Sequence, residues 1–255
     1  PVRLDEKLTG EILNGFEVIR PVFKSGNDLV PLPASFSFGQ TVVLNDGRLL
    51  LIYPNVDNLE ACFSKDGGTT WTKPEVITAG THRAAVVQTK DGTIWAIFFR
   101  VISYDETKAG SKSDLFAVNS TDGGKTWSSP QTIWKGYTGM TQGMIETRKG
   151  TIIMPFCYIE ERTRWLGACV YSRDHGKTWQ YTEGIDIGQE LDSAQRKKFP
   201  ADGGTLEPSI VELRDGRLFM VIRTIVGKLY HCYSSDDGVT WTKPLPMRLT
   251  CGGPV

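Results

Sequence analysis

Short apolar runs recur along the chain, each broken by a tight polar turn. Thr41–Leu44 leads into Leu49–Tyr53 across Asn45-Asp46-Gly47-Arg48, and Ile210–Leu213 leads into Leu218–Ile222 across Arg214-Asp215-Gly216-Arg217. The same device returns at Lys90-Asp91-Gly92-Thr93 and at Arg148-Lys149-Gly150-Thr151. Asp-Gly between β-rich runs predicts a hairpin, because glycine supplies the positive φ that such turns require. Strands therefore dominate the expectation. The one helical segment expected is Gln189–Lys198, which lacks Gly and β-branched residues.

A second repeat follows each hairpin. It reads Ser64-Lys65-Asp66-Gly67-Gly68-Thr69-Thr70-Trp71, then Ser120–Trp127, Ser172–Trp179 and Ser234–Trp241, four copies of S-x-D-x-G-x-T-W. Their tryptophans stand 56, 52 and 62 residues apart. The Asp carboxylate can accept backbone N–H groups and close the turn on itself, and the Trp can pack its ring between neighbouring sheets. These aspartates read as scaffold rather than as catalysts. Each unit becomes strand A, tight turn, strand B, loop, strand C, Asp-box turn, strand D. Radial repetition of four-stranded antiparallel blades is a β-propeller. The expected class is all-β, one propeller domain over 1–255, with blades near 33–80, 81–137, 138–190 and 203–250. WD40 repeats have a shorter period, roughly 40–45 residues, and a different signature.

Composition narrows the function classes. Lys+Arg and Asp+Glu both number 29, so no basic excess points to nucleic acid. No apolar run approaches the roughly 20 residues of a bilayer span. No signal peptide is visible, but the chain begins at Pro1 rather than Met, so a processed N-terminus and a secreted or periplasmic location are the expectation. Cys62, Cys157, Cys169, Cys232 and Cys251 are odd in number and form no C-x-x-C pair. They read as small buried hydrophobes, with no metal cluster and no cofactor implied. Oligomeric state has no signature here.

Strand order sets a polarity. The A–B and C–D turns are all tight and share one rim. The long segments, Val101–Asp114 and Gly184–Thr205, fall on the other, where sites are usually built. Gln40, His82, Arg83, Gln142 and Glu207 start A strands on that rim, and Arg100, Tyr158 and Arg223 end B strands there. These positions predict a polar pocket at the central channel mouth. His175 and His231 read as structural, and Lys65, Lys125 and Lys177 as solubilising charge on the turn rim.

Asp-box repeats in this setting resemble the sialidase (neuraminidase) superfamily, whose repeats are also called BNR repeats, over about residues 35–255. Leu206–Arg223 is similar to the sialidase pattern E-P-x-x-x-x-L-x-D-G-x-L-x-x-x-x-R. The resemblance implies that Glu207 raises the nucleophilicity of a catalytic tyrosine. It implies that Arg223 is one of three arginines gripping the substrate carboxylate, as suits a planar guanidinium. It also places an acid/base aspartate in the first B–C loop, where Asp57 is the only one. The chain departs from the pattern at Phe38-Gly39-Gln40-Thr41, where the family's R-I-P arginine is missing. Arg20-Pro21 echoes it only partly, and the nucleophilic tyrosine and third arginine match nothing here. A six-bladed ring, implied by the family, needs on the order of 340 residues at this repeat length. About four to five blades are therefore expected in this chain, with the rest supplied elsewhere.

Three readings follow. The first is an exo-sialidase-type glycoside hydrolase acting on an acidic glycan. It takes Glu207, Asp57 and His82 as catalytic candidates and Arg223, Arg83, Gln142, Arg100 and Tyr158 as substrate-binding ones. The second is a propeller polysaccharide lyase or other glycosidase acting on uronic-acid or rhamnose-containing glycans, in which His82 or Tyr158 abstracts a proton beside Arg100 and Arg223. The third is a non-catalytic carbohydrate-binding propeller.

Overall fold

The computed structural model describes residues 39–55, 58–80, 83–104, 111–141, 143–160, 164–187, 204–224 and 226–250, all within the compact unit of residues 33–255. Asp57, His82, Gln142 and the expected helix at Gln189–Lys198 lie outside them. Among the described residues there is no helix, and none long and apolar enough to cross a membrane.

Four antiparallel sheets follow one another as propeller blades. Blade 1 is β1 (Gln40–Val43), β2 (Leu49–Asn55), β3 (Asn58–Ser64) and β4 (Glu75–Ala79). Blade 2 is β5 (Ala84–Gln88), β6 (Ile94–Ser103), β7 (Lys112–Ser120) and β8 (Gln131–Trp134). Blade 3 splits its first strand into β9 (Thr138–Thr141) and β10 (Ile145–Glu146), which both pair with β11 (Ile152–Glu160); β12 (Arg164–Ser172) and β13 (Gln180–Tyr181) complete it. Blade 4 is β14 (Thr205–Glu212), β15 (Leu218–Thr224), β16 (Lys228–Ser234) and β17 (Leu245–Thr250). The split in blade 3 falls opposite Met154 and Pro155, and proline has no N–H for the ladder.

Both faces of the middle strands are buried, so their sequences are continuously apolar rather than alternating. Ile94, Ala96 and Phe98 of β6 pack on Leu50, Ile52 and Leu59 of blade 1. Their neighbours Trp95, Ile97 and Phe99 pack on Met154 and Phe156 of blade 3. Ile153 and Cys169 of blade 3 then pack on Leu218, Met220 and Ile222 of blade 4. Each fully buried Ile, Leu or Phe contributes roughly 1.5–3 kcal/mol relative to exposure. Cys62, Cys157, Cys169 and Cys232 lie in these layers as free thiols, and burial pushes the Cys62 thiol up to about 11.

The four S-x-D-x-G-x-T-W turns are built alike. In the first, Ser64 Oγ donates to Asp66 Oδ1 at 2.8 Å and accepts the Gly68 N–H at 2.8 Å. Thr70 donates its N–H to Asp66 Oδ1 at 2.8 Å and its hydroxyl to Oδ2 at 2.6 Å. The same bonds recur around Asp122, Asp174 and Asp236. The Thr70 hydroxyl and N–H and the Ser64 hydroxyl hold the Asp66 carboxyl down to about 2. These turns seat on the hairpin turns of the preceding blade. Arg48 Nη2 donates to Gly123 O at 3.0 Å, His175 Nδ1 lies 3.7 Å from Asp91 Oδ2, and Asp237 accepts from the Thr147 and Thr151 hydroxyls. The tight turns therefore share one rim.

Candidate active site

The opposite rim is irregular where the chemistry collects. In β14, Leu206 pairs with Arg223 and Ser209 with Val221, so Glu207 and Pro208 together oppose Ile222. That is a β-bulge, a device that re-aims side chains beside functional sites. Glu207 sits at φ 45°, one of the few non-glycine residues of positive φ. Such a conformation costs about 1–2 kcal/mol and persists only when its flanks enforce it. The bulge directs the Glu207 carboxylate to Arg223, with Oε2 3.1 Å from Nη1 and side chains 23% and 30% exposed. The pair is thus open to a ligand from solvent.

Arg83 precedes β5 and is half-buried. Burial lowers its guanidinium from its ordinary value while the Glu207 carboxylate acts in the opposite direction, which puts the two in electrostatic reach. Two guanidinium groups and one carboxylate leave the cluster with net positive charge, suited to an anionic ligand. Behind Glu207 lies the fully buried Cys157 of β11. Burial pushes its thiol up to about 12, and the two side-chain charges of the pair act on it with opposite signs.

The other expected site residues fall elsewhere. Arg100 ends up against blade 1, where its guanidinium donates to Gly80 O at 3.0 Å, Ala79 O at 2.7 Å and Thr78 Oγ1 at 3.4 Å and stacks over Phe116. Tyr158 lies on the blade 2 side of β11, its ring 5.6 Å from that of Trp134 and 5.9 Å from that of Phe156. That is the face opposite to Cys157, which faces Glu207. Gln40 Oε1 accepts the Val86 N–H at 3.3 Å and ties blade 1 to blade 2. The structure brings Glu207 and Arg223 together, with Arg83 in electrostatic reach of Glu207, and leaves Arg100 and Tyr158 on blade-to-blade faces.

A tyrosine–carboxylate couple that the sequence reading did not single out lies in blade 1. Tyr53 donates to Glu60 Oε2 at 2.9 Å, and Asn55 holds the other oxygen at 2.9 Å. Tyr53 is fully buried, and burial followed by the Glu60 carboxylate raises its phenol well above the ordinary value. Such a phenol is neither ionised nor accessible, so it is a core contact rather than a nucleophile. The signal for it was the cross-strand pairing of positions 53 and 60. Among the described residues no group of three or more His, Cys, Asp or Glu side chains could hold a metal ion.

The chain is similar to known proteins over most of its length. It is 28% identical over 251 residues to a sialidase of Micromonospora viridifaciens, covering 80% of this chain and 36% of that protein. It is 25% identical over 252 residues to a sialidase of Bacteroides fragilis strain YCH46, covering 82% of this chain and 43% of that one. It therefore spans less than half the length of both. Among solved structures, a Hadza microbial sialidase superposes with a TM-score of 0.66 at 21% identity, covering 84% of this chain and 47% of the other. Its likeness concerns the propeller fold. The family model for the BNR repeat-like domain matches residues 79–250. That match takes in more than half of the sequence, and the protein belongs to the BNR repeat-like domain family.

Proposed function

We propose that this chain carries the carboxylate-binding part of a sialidase-type glycoside hydrolase acting on an acidic glycan. The observation that carries the reading is the bulge that aims Glu207 at Arg223 on a solvent-open rim, with Arg83 in electrostatic reach. A guanidinium has five N–H donors, and Glu207 engages Arg223 through Nη1. The remaining donors can take a sugar carboxylate in the parallel two-bond geometry that favours arginine over lysine. Glu207 then has two roles. It orients Arg223, and it sets a negative charge beside the place where the resemblance puts a tyrosine nucleophile. The similarity to sialidases of two bacteria supports the same substrate class. An extracellular glycan substrate would place the protein outside the cytoplasm, which cell fractionation tests.

The test is incubation of the full-length protein with a fluorogenic α-sialoside and, separately, with uronate polysaccharides. Release of the fluorophore is the expected result. Ultraviolet absorbance of an unsaturated uronic acid, without fluorophore release, would replace the hydrolase reading by the lyase reading. Binding of either glycan without turnover would leave a carbohydrate-binding propeller.

A further inference from the structure

The Glu207 bulge is fastened from the neighbouring blade. Thr205, two residues before Glu207, is fully buried. Its hydroxyl enters the bridge between Gly167 of β12 and Ile185. The Gly167 N–H donates to Thr205 Oγ1 at 2.8 Å, while its direct bond to Ile185 O is drawn out to 3.3 Å. Thr205 Oγ1 in turn donates to Ile185 O at 2.5 Å, and the Ile185 N–H closes the other side on Gly167 O at 2.7 Å. The hydroxyl does there what an inserted water does, except that it is covalently part of β14. Gly167 abuts this segment: a Cβ there would meet Pro208 Cγ and Thr205 Cβ at 3.7 Å, ordinary van der Waals contact.

We propose that blade 3 positions Glu207 through Thr205, so that this buried residue, which does not touch the ligand, sets the aim of the carboxylate at Arg223. The inference rests on the reading of Glu207 and Arg223 as the carboxylate site. Its physical basis is the strain at Glu207. A residue at φ 45° stays there only if both flanks are fixed. Pro208, with its locked φ, fixes the following flank. Thr205 fixes the preceding one. Without the hydroxyl, Gly167 and Ile185 can close into a direct bond, β14 loses its tie, and the bulge can relax with the blade still formed.

The experiment is calorimetric binding of N-acetylneuraminic acid to the parent, Thr205→Val, Thr205→Ser, Arg223→Ala, Glu207→Gln and the Thr205→Val/Glu207→Gln double variant, each at a temperature where circular dichroism shows it folded. Thr205→Val should weaken binding about tenfold, Thr205→Ser should stay within about twofold of the parent, and Thr205→Val should add nothing to Glu207→Gln, as expected for residues acting through one another. Parent-like binding by Thr205→Val, or an equal loss in both backgrounds, overturns the proposal. Should Thr205→Val fail to fold, Thr205→Ala, which also removes the hydroxyl, replaces it with the same expectation and the same two contrary results. Unchanged binding by Arg223→Ala would instead bring down the underlying site reading; a loss there with normal binding by Thr205→Val removes the positioning role alone.

Discussion

The two rims of these blades are made from the same strands but obey different rules. At the turn rim, equivalent residues meet equivalent surroundings from blade to blade. Gly124 lies against Phe63, Gly176 against Trp95 and Gly238 against Ile153, each turn closing on the blade before it. The partners differ in kind, an arginine to a carbonyl, a histidine beside an aspartate, an aspartate to two threonines, yet the geometry repeats. At the opposite rim nothing repeats. The first strand of blade 3 is split, that of blade 4 is bulged, and one non-glycine residue is held at positive φ. The lesson is a division of labour: regular turns fix the blades to one another, and that fixity lets the other rim hold a strained, half-open charge cluster.

The comparison can be broken by substitution, beginning with the largest effect. Gly176→Ala places a methyl group into the Trp95 ring at a position of φ 78°, so it should destabilise by roughly 3 kcal/mol or more in urea unfolding. A cost no larger than that of Gly47→Ala would show that turn seating contributes little.

Acid should come next. The folded-state carboxyls of Asp66 and Asp174 are held down to about 2 by their threonine and serine partners, from an ordinary 3.8. The stability they contribute is present above the unfolded value and is lost as pH falls through about 2. Melting temperature should therefore drop between about pH 4 and pH 2. Asp66→Asn should flatten that part of the profile, and an unchanged slope would contradict the assignment.

Gly47→Ala, at φ 84° with open space around it, should cost about 1 kcal/mol through backbone strain alone. Arg223→Ala should have the smallest effect on stability, within about 1 kcal/mol, because a partly exposed ion pair contributes little. A melting-temperature drop matching that of Gly176→Ala would make the pair a structural tie.

Much of the turn rim was legible because turn chemistry is local. Asp, Gly and Trp at fixed spacing specify the same hydrogen bonds wherever they occur, and the spacing of the copies gave the blades. The candidate site was legible only in part. Glu207 and Arg223 stood out through the pattern that joins them, and Arg83 through its place at the head of an A strand. Arg100 and Tyr158 were expected at the channel mouth because they end B strands. End-of-strand position was readable, but the phase of alternation was not. With both faces of β11 buried, apolar residues give no sign of which face a given side chain takes. That is why Tyr158 was singled out while its neighbour Cys157, which faces Glu207, was read only as a buried thiol. Thr205 was equally invisible, since its partners are backbone groups of residues distant in sequence.

The central claim is that Arg223, aimed by Glu207, binds the carboxylate of an acidic sugar. The most direct measurement is the dissociation constant of N-acetylneuraminic acid for the parent and for Arg223→Ala at neutral pH, set beside the neutral analogue in which the carboxylate is reduced to an alcohol. A charge-assisted hydrogen-bonded contact of this kind contributes roughly 1.5–3 kcal/mol. The account predicts that Arg223→Ala weakens binding of the acid by about 10- to 100-fold and leaves the already weak binding of the alcohol unchanged. Equal affinity of parent and variant for the acid would contradict it.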